Sequence, residues 1–196
     1  GVAEQPGGLV AQRDRLLARG FVYPCSCSRR ELALMVAAPH EDSDDEPVYD
    51  GRCRPAGAPS RVMQEGMNYR FRIPDGEAVQ FIDGNMGAQS FTAGVDFGDF
   101  LVWRKDGLPS YQLACVVDDA AMRITEVVRG ADLLKSTARQ ILLQRALGQP
   151  SVAYFHTRLV RDEHGVRLAK RHDALAIRTL RERGMTPAQV VAMFQE

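Results

Sequence analysis

Tyr111-Gln112-Leu113-Ala114-Cys115-Val116-Val117-Asp118-Asp119, and then Thr125-Glu126-Val127-Val128-Arg129-Gly130-Ala131-Asp132-Leu133, hold the apolar runs on which the fold class turns. Leu113 to Val117 is continuously apolar and short, which reads as a buried strand ending in two acids. Ile124 to Val128 reads as a second strand, running into Arg129. Outward from this pair, Ser136 to Leu147 has helical spacing, with Ile141, Leu142 and Leu147 facing inward and Gly148 and Pro150 ending it. Short strands are expected at Tyr69 to Ile73, Val79 to Ile82 and Phe100 to Trp103, with a turn at Lys105-Asp106-Gly107.

Towards the start, Leu9 to Arg19 reads as a helix stopped by Gly20, with Leu9, Leu16 and Leu17 on its apolar side, and Phe21-Val22-Tyr23 as a strand. Ser28-Arg29-Arg30-Glu31 is a capping box that starts a helix through Ala37. Glu41 to Glu46 is acidic and without apolar residues, so it reads as a loop. Towards the end, Val152 to Val160 is extended, Asp162-Glu163-His164-Gly165 turns, and Asp173 caps a helix ending at Gly184. Thr186-Pro187-Ala188-Gln189 opens the last helix with a capping box and a proline in its first turn. Strands interleaved with helices place the chain in the α/β class.

The 196 residues are 45% hydrophobic and 26% charged, enough to bury a core. Twenty-five basic residues balance twenty-five acidic ones, which excludes a strongly basic nucleic-acid binder but leaves local basic faces open. No apolar run approaches the roughly 20 residues needed to cross a bilayer, and Gly1 to Gly8 lacks the blocks of a signal peptide. A soluble, cytoplasmic monomer without membrane contact is expected.

Cys25, Cys27 and Cys53 call for an explanation other than disulfides, which a reducing compartment does not keep. Structural zinc takes four ligands in a closed tetrahedron, so three thiolates leave one position, with Tyr49, His40 and Asp50 as nearby candidates. The competing reading is a group of buried thiols, which is the reading given to Cys115 inside its apolar run. In an open α/β sheet, ligands sit at the carboxyl ends of strands, so Arg129, Asp118, Asp119 and Tyr111 are candidate site residues. Arg129 is suited to gripping a carboxylate through its fork of donors. Each of these also reads plainly as a surface ion pair, a turn residue or a packed aromatic. Arg167-Leu168-Ala169-Lys170-Arg171-His172-Asp173 is a basic stretch ahead of a helix, able either to close on a polyphosphate or simply to lie in solvent.

The order of these signals resembles the glutamyl branch of the class I aminoacyl-tRNA synthetases, and within it the shortened glutamyl-Q tRNA(Asp) synthetase family. Tyr23-Pro24-Cys25-Ser26-Cys27-Ser28-Arg29 with Tyr49-Asp50-Gly51-Arg52-Cys53-Arg54 is similar to that family's zinc element, which implies Tyr49 as the fourth ligand beside Cys25, Cys27 and Cys53. Asp96 to Leu108 matches the strand and turn ahead of the site. The stretches at Tyr111 to Asp119 and Thr125 to Leu133 match those whose Tyr and Arg hold glutamate, which implies that role for Tyr111 and Arg129. The likeness runs from about Leu9 to Phe194.

The resemblance implies a partial class I Rossmann-type catalytic domain with a small zinc-containing insertion. Residues 1–24 would end a first catalytic segment, 25–68 form the zinc-binding insertion, 69–160 complete the α/β domain, and 161–196 carry the phosphate loop and C-terminal helices. It implies activation of glutamate by ATP, with magnesium, and transfer to the queuosine base of tRNA(Asp), zinc being structural. A fragment of a glutamyl-tRNA synthetase, or a non-catalytic zinc-containing relative that binds tRNA or a protein, stays open beside it. Cys53 followed by Arg54-Pro55 and preceded by Tyr49, and a chain ending at Glu196, favour the shortened family.

Two departures stand out. The family's Lys-Met-Ser-Lys-Ser loop reads Arg167-Leu168-Ala169-Lys170-Arg171, so only Lys170 carries over, with the implied role of meeting ATP phosphates. No histidine stands between Gly1 and Gly20, so the His-x-Gly-His signature is not matched and the chain is expected to own part of each substrate site.

Overall fold

The computed structural model describes residues 8–27, 48–159 and 177–193, and the chain divides into two compact units, 1–156 and 157–196. The order is α1 (Leu9–Ala18), β1 (Val22–Cys25), β2 (Asn68–Phe71), β3 (Ala78–Asp83), β4 (Gly87–Thr92), β5 (Phe100–Trp103), α2 (Tyr111–Ala121), β6 (Glu126–Gly130), a 3-10 turn at Ala131–Leu133, α3 (Leu134–Leu147) and β7 (Ala153–Thr157). The second unit contains α4 (Ile177–Glu182) and α5 (Pro187–Ala192). No described helix is long and apolar enough to cross a membrane.

Two sheets share the first unit. One is antiparallel with strand order β1-β2-β5, its register running from Val22 opposite Phe71 to Cys25 opposite Asn68. That pairing carries Cys25 to the sheet's end. The other has order β4-β3-β7-β6; β3 and β4 form an antiparallel hairpin, and β3 meets β7 in parallel where Asp83 lies opposite Tyr154. The core stacks Phe21 on Phe71 at 5.9 Å and Phe71 on Phe100 at 5.2 Å. Helix α3 runs through it with every residue from Ser136 to Leu147 except Arg145 buried. Because polar side chains are buried with it, partners are required: Gln144 Nε2 donates to the Tyr154 hydroxyl at 3.1 Å.

The largest correction concerns Leu113 to Val117, which is helix α2 and not a strand. Leu113, Val116 and Val117 are the buried residues, spaced as one helical face, while Ala114 and Cys115 are half-buried. Ser110 caps the helix, its Oγ accepting from the Leu113 amide at 3.4 Å. A short apolar run carries no period of its own, and packing against α1 and α3 selects the helix. Asp118 and Asp119 therefore lie in the last turns of α2, not at a strand's carboxyl end, and Cys115 is a half-buried helical thiol.

Strand β4 was not expected. Gly87-Ala88-Gln89-Ser90 has little strand preference, and pairing with β3 from Ala78–Thr92 to Asp83–Gly87 makes it one. The hairpin turn is shaped by Asp83, whose Oδ1 accepts from the amides of Asn85 at 3.0 Å and Met86 at 2.9 Å. Elsewhere the elements shift by a few residues: the strand expected at Tyr69 to Ile73 is Asn68–Phe71, and the extended Val152 stretch is Ala153–Thr157. The last helix opens on the expected capping box, Thr186 Oγ1 accepting from Gln189 N at 3.3 Å and Gln189 Oε1 from Thr186 N at 2.9 Å. The helix after Ser28, the acidic stretch at Glu41, the turn at Asp162 and the cap at Asp173 lie outside the described residues.

Candidate functional site

Strand β1 delivers Cys25, and the following loop brings Cys27 back beside it; Tyr49 and Cys53 approach from a separate loop. The three sulfur atoms lie within 4.8 Å of one another. The Tyr49 hydroxyl is 3.6 Å from Cys25 Sγ and 3.7 Å from Cys27 Sγ, and Cys27 Sγ is 3.6 Å from Cys53 Sγ. A tetrahedral zinc with bonds of about 2.3 Å to sulfur sets its sulfurs about 3.8 Å apart, and slightly less to oxygen. These three edges match those of a zinc tetrahedron, and the chemistry of the donor set fits the ion. His40 lies outside the described residues, and Asp50 turns instead to Arg52 with a 2.9 Å ion pair.

Burial pushes the Cys27 thiol up to about 11 and raises the Tyr49 hydroxyl well above its ordinary value. Burial opposes ionisation of Cys53 as well, but hydrogen bonds from Tyr49, the Ser26 amide and the neighbouring thiols outweigh it and bring the thiol to about 7. A metal ion bound by these four groups would have to displace their protons.

A buried carboxylate holds the two halves of this cluster together. Asp99 receives a bidentate Arg54, Nε at 2.7 Å and a terminal nitrogen at 2.5 Å, the Ile73 amide at 2.9 Å, and the Tyr23 hydroxyl. Arg54 adjoins Cys53 and Tyr23 lies two residues before Cys25, so the carboxylate ties both ligand segments to one point. Gly98 allows the close approach: a Cβ there would lie 2.6 Å from the Tyr49 backbone nitrogen and 2.8 Å from its carbonyl oxygen.

The second group forms around Arg129 at the end of β6. Its Nε donates to His156 Nε2 at 3.2 Å, and a terminal nitrogen donates to Thr137 Oγ1 at 2.6 Å. Since a guanidinium only donates, His156 Nε2 accepts, so the imidazole proton sits on Nδ1, facing Asp83 Oδ2 at 2.5 Å. The Thr137 hydroxyl donates in turn to the Leu133 carbonyl at 3.2 Å. The Asp83 and His156 side chains are fully buried. Although burial opposes it, hydrogen bonds from His156 and from the Met86, His156 and Asn85 amides hold the Asp83 carboxyl well below the usual carboxylate range.

Tyr111, at the start of α2, shares this corner. Burial and Cys115 push its hydroxyl up, whereas Arg129 pulls it down, as a facing cation does. Asp119 is raised by burial and by Asp118, against the same arginine. The two expected glutamate ligands, Tyr111 and Arg129, are thus side by side. Asp83, His156, Thr137, Arg70, Gly98 and the Asp99–Arg54 pair were not anticipated as site residues. Arg54, Gly98 and Asp99 stood inside the quoted motifs without a role, while His156 gave no signal beyond a lone histidine in an extended stretch. Lys170 lies outside the described residues.

The family described as tRNA synthetases class I (E and Q), catalytic domain, matches residues 8–195. A glutamyl-Q tRNA(Asp) synthetase of Symbiobacterium thermophilum is 46% identical over 181 residues, covering 90% of this chain and 55% of that protein. One from Geobacter sulfurreducens is 48% identical over 167 residues, covering 85% of this chain and 52% of that protein. The chain therefore spans about half the length of the curated relatives it matches. In fold, it is similar to the crystal structure of a glutamate tRNA ligase from Elizabethkingia meningosepticum, with a TM-score of 0.64 at 24% identity over 85% of this chain and 35% of that one.

Proposed function

The chain belongs to the class I tRNA synthetase (E and Q) catalytic-domain family, and from that premise we propose that it carries part of an active site that activates glutamate with ATP and transfers it to the queuosine base of tRNA(Asp). The glutamate carboxylate would attack the α-phosphorus of magnesium-bound ATP, forming the acyl adenylate and expelling pyrophosphate. Positioning and charge stabilisation supply the rate in such a step.

Arg129 and Tyr111 hold glutamate in this reading. The observation that carries it is the buried anchor behind Arg129, where His156 and Thr137 take two of its donors and Asp83 fixes the imidazole. A guanidinium held from behind loses little freedom when it meets a carboxylate, which is what a specific anion grip needs. Lys170 meets the leaving pyrophosphate. Residues 25–68 form the insertion in which Cys25, Cys27, Tyr49 and Cys53 hold zinc; the ion supplies a rigid crosslink between chain segments and no chemistry. Residues 1–24 precede that insertion, 69–160 complete the α/β domain and 161–196 bear the phosphate loop and C-terminal helices.

The test is glutamate-dependent ATP–pyrophosphate exchange without tRNA by the whole enzyme of which this chain supplies part of the site, followed by transfer of labelled glutamate to tRNA(Asp) with and without queuosine; robust exchange by these 196 residues alone would overturn the partial-site reading. The expected result is exchange that falls at least about tenfold in Arg129→Ala, with label only on queuosine-bearing tRNA(Asp). Label on tRNA(Glu) would select a glutamyl-tRNA synthetase fragment instead. Exchange untouched by Arg129→Ala would remove the arginine from the site.

A further inference from the structure

Arg70 is a cation in an unusual place. It projects from the middle of β2, 4% exposed, and among the described residues no carboxylate pairs with it. Burying an unpaired charge is costly, so its counter-charge must be something other than an acid. Its Nε donates to Cys25 Sγ at 3.3 Å, its guanidinium lies 4.0 Å over the Tyr49 ring, and a terminal nitrogen donates to the Asp99 carbonyl at 2.8 Å. Two of its three partners are residues of the zinc donor set.

Three thiolates around a divalent ion leave one excess negative charge if Tyr49 stays protonated, and two if it binds as phenolate. Cys25, Cys27 and Tyr49 are all buried, so water cannot disperse that excess. The Cys53 amide donates to the Tyr49 oxygen at 3.0 Å, but an amide brings no net charge. Among the described residues, Arg70 is the cation that hydrogen-bonds a sulfur of the cluster, Cys25 Sγ at 3.3 Å.

We propose that Arg70 is the internal counter-cation of the metal site, a positioning residue that sets zinc affinity by balancing the anionic sulfur cluster and fixing the orientation of Cys25. The proposal rests on the zinc reading above. It also explains why a charged residue occupies the interior of β2: the guanidinium and the thiolates neutralise each other.

The experiment is zinc titration against a competing chromophoric chelator, using wild-type protein, Arg70→Met and Arg70→Lys. Wild type should take up one zinc; Arg70→Met should bind about 10- to 100-fold more weakly at the same stoichiometry, the usual size of an outer-layer effect. Arg70→Lys should recover most of the loss. Arg70→Met binding within about twofold of wild type would overturn the proposal while leaving the zinc site intact. Equal weakening in both variants would assign the loss to packing and overturn it too. Wild type that takes up no zinc would instead bring down the metal reading beneath it. Should Arg70→Met fail to fold, the Arg70 Nε–H resonance of zinc-loaded wild type decides: slow exchange with solvent is expected, and rapid exchange would place the guanidinium away from sulfur.

Discussion

Arg129 and His156 are joined by one hydrogen bond, Nε to Nε2 at 3.2 Å, and that bond decides which nitrogen of a fully buried imidazole carries its proton. The proton on Nδ1 then binds His156 to Asp83, so an acid in the turn of one hairpin governs the orientation of an arginine at the end of another strand.

Asp83→Asn is expected to cost about 2 kcal/mol at neutral pH, the usual size of losing charge-assisted hydrogen bonds to a buried carboxylate. Because the folded carboxyl sits below its ordinary range, its contribution is present above the unfolded value of about 3.9 and is lost as pH falls through the lower folded value. Urea melts from pH 7 down to pH 3 should show wild type and variant converging only below about pH 4. A constant gap across that range would show that the charge is not what the variant removes.

Arg129→Lys keeps the charge but loses the planar fork, and should raise the KM for glutamate by about 10- to 100-fold with a smaller change in kcat. His156→Asn should act in the same direction but less, since Thr137 still holds one terminal nitrogen at 2.6 Å. Initial rates of pyrophosphate exchange against glutamate concentration read both. A His156→Asn effect confined to kcat would argue against orientation.

Gly98→Ala would drive a methyl against the Tyr49 backbone, where only 2.6 Å is available to the nitrogen. The loop must move, at about 2 kcal/mol, and it carries the Tyr49 oxygen away from the sulfurs. Lower melting temperature together with weaker zinc retention against a chelator is the expected pair of results; a melting loss with full zinc retention would separate Gly98 from the metal site.

Asp99 and Asp75 both meet Arg54, but the Asp99 side chain is 1% exposed and the Asp75 side chain 59%. Asp99→Asn should therefore cost about 3 kcal/mol and Asp75→Asn less than about 1 kcal/mol, because water screens the outer pair. Denaturant melts of the two variants compare them directly, and equal losses would refute the assignment of Asp99 as the anchor.

What could be read locally was read from Gly20, Gly148 and the Thr186 capping box, whose effects act within one helical turn. The cysteine pair and Tyr49 were also legible, through the resemblance of a spaced motif. Leu113 to Val117 was misread because its five apolar residues fit either period; the Ser110 cap and burial against α1 and α3 chose the helix. Gln89 and Ser90 became strand residues only because Phe81 and Gln80 lay opposite.

By itself, then, the sequence determined the α/β class, the ends of the first and last helices, and the grouping of Cys25, Cys27 and Cys53 that the fold brings together, and it singled out Tyr111 and Arg129 as neighbours at one candidate site, all through patterns spanning a few residues or motifs with fixed spacing. Only the tertiary structure decided what supports them: Asp83 stands 73 residues from His156 and Arg70 45 from Cys25. Partners so far apart are chosen by which buried polar or charged group can satisfy which other once water is excluded, and that condition exists only in the folded chain.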